Sequence, residues 1–165
     1  MSIKSHHLPV QLMSKLENRK RKNQAMLFSI TEEMDFIDPL AFYYGNDSVY
    51  SGERFFWKDS ESDTIIVGVG NAAVLRSEKG IKERYKEIED KWNHLLKEAV
   101  IENAHKEVMG TGPLLFGGFS FDPGTIKEEK WAPFSSAYFV LPSFMVTIKK
   151  DRTYLTSNVI HTAHE

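Results

Sequence analysis

Gly68-Val69-Gly70-Asn71-Ala72-Ala73 has the spacing of a dinucleotide fingerprint, with Ala in place of the third glycine, and it follows a β-rich run. That chemistry needs a helix to open at the glycines, so that its first amides face a pyrophosphate. Here Val74-Leu75-Arg76-Ser77 reaches Gly80 too soon, and Asp90, the acidic residue at the right offset, falls inside a helical pattern. The glycines are therefore read as a turn. His161, His164 and Glu165 bring two imidazoles and a carboxylate close together, and His6-His7 pairs two imidazoles near the other end. Neither group has an evident third ligand, and chain ends are poor places to hold a metal rigidly. His94 and His105 are read as solvated. Glu32-Glu33 and Glu128-Glu129 are carboxylate pairs in polar surroundings, without the apolar pocket that would tune one of them for proton transfer. Neither a Gly-x-Ser-x-Gly elbow nor a Walker-type phosphate loop is present. The residues alone thus assign no catalytic, cofactor-binding or metal-binding side chain.

Composition narrows the field further. The chain has 165 residues and no cysteine, which removes disulfides, thiolate metal sites and cysteine nucleophiles. That fits a reducing, cytoplasmic setting. The longest apolar stretch, residues 137–148, is interrupted by Pro142 and Ser143 and falls short of the ~20 residues a membrane helix needs. Charge is uneven. Residues 1–24 carry Lys4, Lys15, Arg19, Lys20, Arg21 and Lys22 against Glu17 alone. A basic arm can mark nucleic-acid binding, but no aromatic side chains interleave with these charges. Leu8, Leu12 and Leu16 recur every four residues, so this segment is read as a basic amphipathic helix, its cations at the C-terminal end where they complement the helix dipole.

The elements that would position any site follow from pattern. Residues 25–30 form a strand. Asp38-Pro39 starts a short helix that stops at Gly45. Residues 54–57 and 64–69 are two strands joined by a polar turn, and residues 72–76 are a third. The spacing of Ile81, Tyr85, Ile88, Trp92, Leu95, Leu96, Ala99 and Val100 predicts a long helix that buries this stripe against a sheet and extends as far as Val108, with Gly110 or Gly112 ending it. Residues 114–121, 137–149 and 153–160 are strands, with turns at Asp122-Pro123-Gly124 and Lys150-Asp151-Arg152. The order gives an α+β fold: a mostly antiparallel sheet, one long amphipathic helix packed on it, and a short amino-terminal helix.

One stretch is more specific than the rest. Phe116-Gly117-Gly118-Phe119-Ser120-Phe121-Asp122-Pro123, followed by Trp131, Phe134 and Phe139-Val140-Leu141-Pro142, resembles the amino-terminal half of menaquinone-type isochorismate synthases. Asp38-Pro39-Leu40, Arg54-Phe55-Phe56-Trp57, the run from Ile65 to Gly70, and a helix carrying Arg84-Tyr85 and Trp92 extend the resemblance over nearly all of residues 25–160. It implies that residues 25–165 are the amino-terminal scaffold of the larger chorismate-utilising fold. It also implies that the complete protein isomerises chorismate to isochorismate with Mg²⁺, water attacking one ring carbon while a hydroxyl leaves another. The family's catalytic and metal-binding motifs lie in a carboxyl-terminal portion, so nothing singles out Lys149 or Glu165 for such a role. The chain alone is expected to be inactive, to bind no cofactor, and to expose sheet surface that self-associates or meets that missing portion. Nucleic acid and membrane are not expected partners. Two alternatives remain: a freestanding module that binds a protein through the exposed sheet face, or the same fold in a salicylate or anthranilate synthase.

Overall fold

The computed structural model describes residues 25–45, 49–121, 130 and 135–161. The amphipathic helix expected over residues 1–24, the Asp122-Pro123-Gly124 turn and the Glu128-Glu129 pair lie outside the described residues. Among the described residues, nine strands and two helices follow in the order β1 (Met26–Met34), α1 (Pro39–Gly45), β2 (Arg54–Asp59), β3 (Thr64–Val69), β4 (Ala73–Ser77), α2 (Ile81–Lys97), β5 (Val100–Asn103), β6 (Phe116–Phe119), β7 (Ala137–Leu141), β8 (Phe144–Lys149) and β9 (Arg152–His161). Six strands form one sheet in the order β2-β3-β8-β9-β1-β5, and three form a second, β4-β7-β6. Every pairing is antiparallel except β1 with β5, so the fold is mixed and mostly antiparallel.

The two sheets share their strands' continuations. Residues 137–149, expected as one strand, divide at Pro142-Ser143: β7 lies in the small sheet and β8 in the large one. Their partners β4 and β3 divide at the same level. Val69 pairs with Phe144 and Ala73 with Leu141, so residues 70–72 face only Pro142 and Ser143. One extra residue on one strand is a bulge, and a bulge bends the ribbon. Gly70 supplies the required backbone at φ +73°, a region that costs other residues steric strain. Proline cannot donate to a ladder, which explains why the ribbon turns there.

The core sits on both faces of the large sheet. Met145, Val146, Thr147 and Ile148 of β8 are all buried, so this central strand is covered on each side. On one face α1 lies over β2 and β3. Asp38 caps it, accepting a 2.7 Å bond from the Ala41 amide. The Arg54 guanidinium sits 4.7 Å from the Tyr43 ring centre and donates to the Tyr43 carbonyl. The opposite face is covered by residues 104–115. A threonine row fastens that segment: Thr147 donates to the Gly110 carbonyl, and the Gly112 amide donates to Thr31 Oγ1 at 3.1 Å, with Thr31 and Thr156 bonded at 2.9 Å.

Helix α2 corrects two expectations. It ends at Lys97, and Val100 begins a strand paired in parallel with Phe28, because consecutive β-branched Val100 and Ile101 suit the sheet edge. Its inner face is also rotated. Ile81 and Tyr85, expected inside, are 56% and 49% exposed, whereas Arg84 is 3% exposed. Arg84, Glu87, Ile88, Lys91 and Leu95 make up the face turned to the small sheet. That sheet offers polar groups to match: Ser77 donates to Glu87 at 2.6 Å, and Lys91 donates to the Arg76 carbonyl at 2.6 Å. Trp92 is only half-buried. The residues expected in water, Lys82, Glu83, Lys86, Glu89 and Asp90, are exposed.

Candidate functional site

The Phe-Gly-Gly-Phe strand is where the two sheets and α2 meet. Phe116 stacks on Phe55 of the large sheet, with centroids 5.4 Å apart. Phe119, on the opposite face of β6, lies 4.2 Å from the Tyr85 ring and 4.9 Å from that of Phe139. Alternation along the strand thus sends the two aromatics to different neighbours. Gly117, between them, lets β6 approach β7 closely. At the end of β6 the buried Arg84 guanidinium donates to Ser120 Oγ at 2.8 Å and to the Ser136 carbonyl at 3.1 Å. The Ser120 amide also donates to the Ser136 carbonyl, and Ser136 Oγ donates to the Ser77 carbonyl. Helix α2 and strands β4, β6 and β7 are tied together at this point.

The Arg84 cation has neutral partners, and its Nε is buried without one. Its face lies 5.2 and 5.4 Å from the Tyr85 and Phe119 rings, which supplies cation–π attraction in place of a carboxylate. Both bonds come from Nη1, and a lysine lacks the planar guanidinium that packs over the two rings while donating there. Arg84→Lys is therefore expected to cost about 1–3 kcal/mol in denaturant melts. A loss indistinguishable from zero would show that this junction does not depend on the guanidinium.

Beside the junction an apolar cleft of about 380 Å³ runs between the β2–β3 hairpin and the segment leading into β6, lined by Trp57, Ile66, Met109, Leu114, Leu115 and Phe116. Its lining carries no charged group, so it can bury apolar surface but cannot move a proton.

The residues singled out by type do not converge. Gly68 and Gly70 lead into a strand, β4, where a dinucleotide fingerprint needs a helix. A Cβ on Gly68 would lie 2.7 Å from Pro142 Cγ, so that glycine serves the corner of the ribbon. Glu32 and Glu33 alternate on β1 and point to opposite faces. Glu33 is taken by Arg152, whose Nε donates to it at 2.9 Å. Lys149 donates to Thr64 Oγ1 at 2.7 Å and to the Ser62 carbonyl at the hairpin's end. His161 is exposed at the end of β9, while His164, Glu165, His6 and His7 lie outside the described residues. His94 is exposed on α2. His105 is not freely solvated as expected; its ring packs 5.0 Å from that of Tyr154. Among the described residues no three His, Asp or Glu side chains are grouped to hold a metal. Arg84 was noted only as part of the resemblance; its buried tie to Ser120 and Ser136, and the threonine row, carry no pattern in the sequence.

Among the described residues, three carboxyl groups titrate below their ordinary range. Arg152 does this to Glu33, the Ser62 hydroxyl and Glu61 amide to Asp59, and Lys91 with Ser77 to Glu87. Each binds its proton less readily folded than unfolded. Stability from these groups is full above about pH 4–5, the ordinary carboxylate range, and is lost as pH falls through the folded values. Glu87→Gln is expected to flatten the acid limb of a stability–pH profile and leave its neutral slope unchanged. An unaltered acid limb would show that Glu87 contributes nothing to it.

Among the described residues, two sheets meet at an aromatic-glycine junction beside one apolar cleft. The family model described as chorismate binding enzyme matches residues 12–165, and the chain belongs to that family. Its relatives include the isochorismate synthase MenF of Bacillus subtilis, 36% identical over 150 residues, a span that covers 90% of this chain and 32% of that protein. The salicylate biosynthesis isochorismate synthase of Pseudomonas aeruginosa is 27% identical over 130 residues, covering 79% of this chain and 25% of that protein. The resemblance to the amino-terminal portion of a menaquinone-type isochorismate synthase therefore holds, and the chain spans about a third or less of the length of these relatives.

Proposed function

We propose that this chain is the amino-terminal scaffold of an isochorismate synthase of menaquinone biosynthesis, an isomerase of chorismate, and that it is inactive alone. The observation that carries the reading is the 36% identity along 90% of the chain to a protein named for that activity. The lower identity to the salicylate-biosynthesis relative supports the menaquinone reading over a salicylate one. Chorismate is the substrate of the complete protein, and the cytoplasm its setting. No helix among the described residues is long and apolar enough to cross a membrane. Mg²⁺ serves the complete enzyme, but the described residues do not fit a Mg²⁺ site. Such a site needs carboxylates free to face the ion, whereas Glu33 and Glu87 are held by Arg152 and Lys91.

Catalysis needs groups that stabilise a transition state, and the junction around Arg84 offers packing instead. The purified chain with chorismate and Mg²⁺ is expected to form no isochorismate above a boiled control; turnover would overturn the inactivity. Grafted in place of the matching residues of the Bacillus subtilis relative, the same chain is expected to support isochorismate formation. A folded chimera without activity would overturn the scaffold assignment. A second reading, a module that binds a protein through its sheet, draws on Phe56 and Trp57, which are 42% and 43% exposed on the edge strand β2.

A further inference from the structure

The apolar cleft between the β2–β3 hairpin and the segment leading into β6 carries one chemically reactive group, a thioether. With no cysteine in the chain, methionine is its only oxidisable sulfur. Of the six methionines, Met1 and Met13 lie outside the described residues. Met26 and Met145 are buried in the large sheet, and Met34, at the end of β1, is 36% exposed. Met109 is 56% exposed and yet forms part of the cleft wall, with Trp57, Ile66, Leu114 and Leu115. The backbone on both sides of it is fastened. The Val108 carbonyl accepts a bond from Thr111 Oγ1 at 2.9 Å, and the Gly110 carbonyl accepts one from Thr147. A Cβ on Gly110 would lie 2.8 Å from Ile66 Cδ1, so the chain here rests directly on the floor of the cleft. Met109 is thus held at the cleft while its side chain meets solvent.

We propose that Met109 is a reversible oxidation site for hydrogen peroxide, and that its sulfoxide turns this apolar cleft into a wetted one. The sulfur attacks one peroxide oxygen, so that an S–O bond forms as the O–O bond breaks. Sulfur is oxidised and the peroxide is reduced. The departing hydroxide takes the proton from the transferred oxygen and leaves as water. Susceptibility follows exposure, which sets Met109 ahead of Met34 and far ahead of Met26 and Met145. The product replaces a flexible apolar side chain with a polar one that accepts hydrogen bonds, and leaving such a group buried and unpaired is costly. The cleft lining offers one side-chain donor, the Trp57 indole N–H. The sulfoxide therefore draws water into the cleft or bonds that indole, and either changes the surroundings of Trp57. The same chemistry at Met34 lacks this consequence, because Met34 is not part of the wall.

The test treats the full chain with hydrogen peroxide and follows sulfoxide at each methionine by peptide mass mapping. Met109 is expected to oxidise about ten-fold faster than Met26 and Met145, or more, and ahead of Met34. A rate no greater than that of Met26 or Met145 overturns the proposal. This measurement needs no variant. Tryptophan emission is expected to shift to the red in step with Met109 sulfoxide, and to return when a methionine sulfoxide reductase restores the thioether. The shift is expected to be absent from Met109→Leu, which keeps an apolar side chain of similar size, and from Trp57→Phe, which removes the reporter. A shift of equal size in Met109→Leu overturns the coupling to the cleft. Full oxidation of Met109 with no shift overturns it as well.

Discussion

Gly117→Val is expected to cost at least about 3 kcal/mol or to abolish cooperative folding, while Gly118→Ala is expected to be neutral or stabilising by up to about 1 kcal/mol. The two glycines are adjacent in one strand but do different things. A Cβ on Gly117 would lie 2.0 Å from the Tyr138 carbonyl oxygen and 2.6 Å from Phe139 Cα, inside the van der Waals surfaces of both. These are backbone atoms of the paired strand, so no rotamer change can move them away. Relief requires β6 to separate from β7. That movement would pull Phe116 off Phe55 and Phe119 out from between Tyr85 and Phe139. It would also move Ser120 from Arg84. A Cβ on Gly118 meets nothing within 4 Å. There, replacement only removes the excess freedom of a glycine in the unfolded chain. Paired denaturant melts decide the matter: equal losses at the two positions would mean that the close approach of β6 to β7 is not what this motif provides.

The same contrast shows what a sequence reveals. Short-range patterns were legible because local chemistry determines them. Asp38-Pro39 caps and starts α1. The polar turn between two β-rich runs is a hairpin, and Lys150-Asp151 turns β8 into β9. The glycine pair could be read as a place of close packing or bending, but not which glycine met which backbone. Long-range decisions were hidden. Nothing near Pro142 says that the strand before it joins one sheet and the strand after it another, since the bulge depends on residues 70–72, far away in sequence. The helix pattern of α2 ran past its true end because Ala99 and Val100 satisfy a helical period as well as a strand. Its inner face could not be placed from apolar spacing, because the surface it meets is partly polar. The Arg76 carbonyl, the Ser77 hydroxyl and the Ser120–Ser136 pair choose Lys91, Glu87 and Arg84. No reaction centre was read from residues 1–165.

Trp92, the largest side chain of the expected helical stripe, is therefore not where the largest truncation effect is expected. Tyr154→Ala is expected to cost about 3–5 kcal/mol, and Trp92→Ala no more than about half of that. Tyr154 is 1% exposed, between Glu33 of β1 and Thr147 of β8 in the register of the large sheet. Truncating a fully buried ring forfeits its transfer energy and leaves a cavity that neighbouring strands, fixed by their ladders, cannot close. A half-buried tryptophan has already left part of its surface in water, and solvent can fill the gap it leaves. Tyr154 has a second role, because its ring is the seat for His105 and so for the segment that the threonine row fastens over the sheet. Losing the ring is expected to move the His105 side-chain proton resonances toward their random-coil positions, since the ring current acting on them disappears. Tyr154→Phe keeps the ring and is expected to leave those resonances nearly unmoved. Equal stability losses for Tyr154→Ala and Trp92→Ala would place the centre of the fold under α2 after all. An unchanged His105 spectrum in Tyr154→Ala would show that residues 104–115 are held by the threonine row alone.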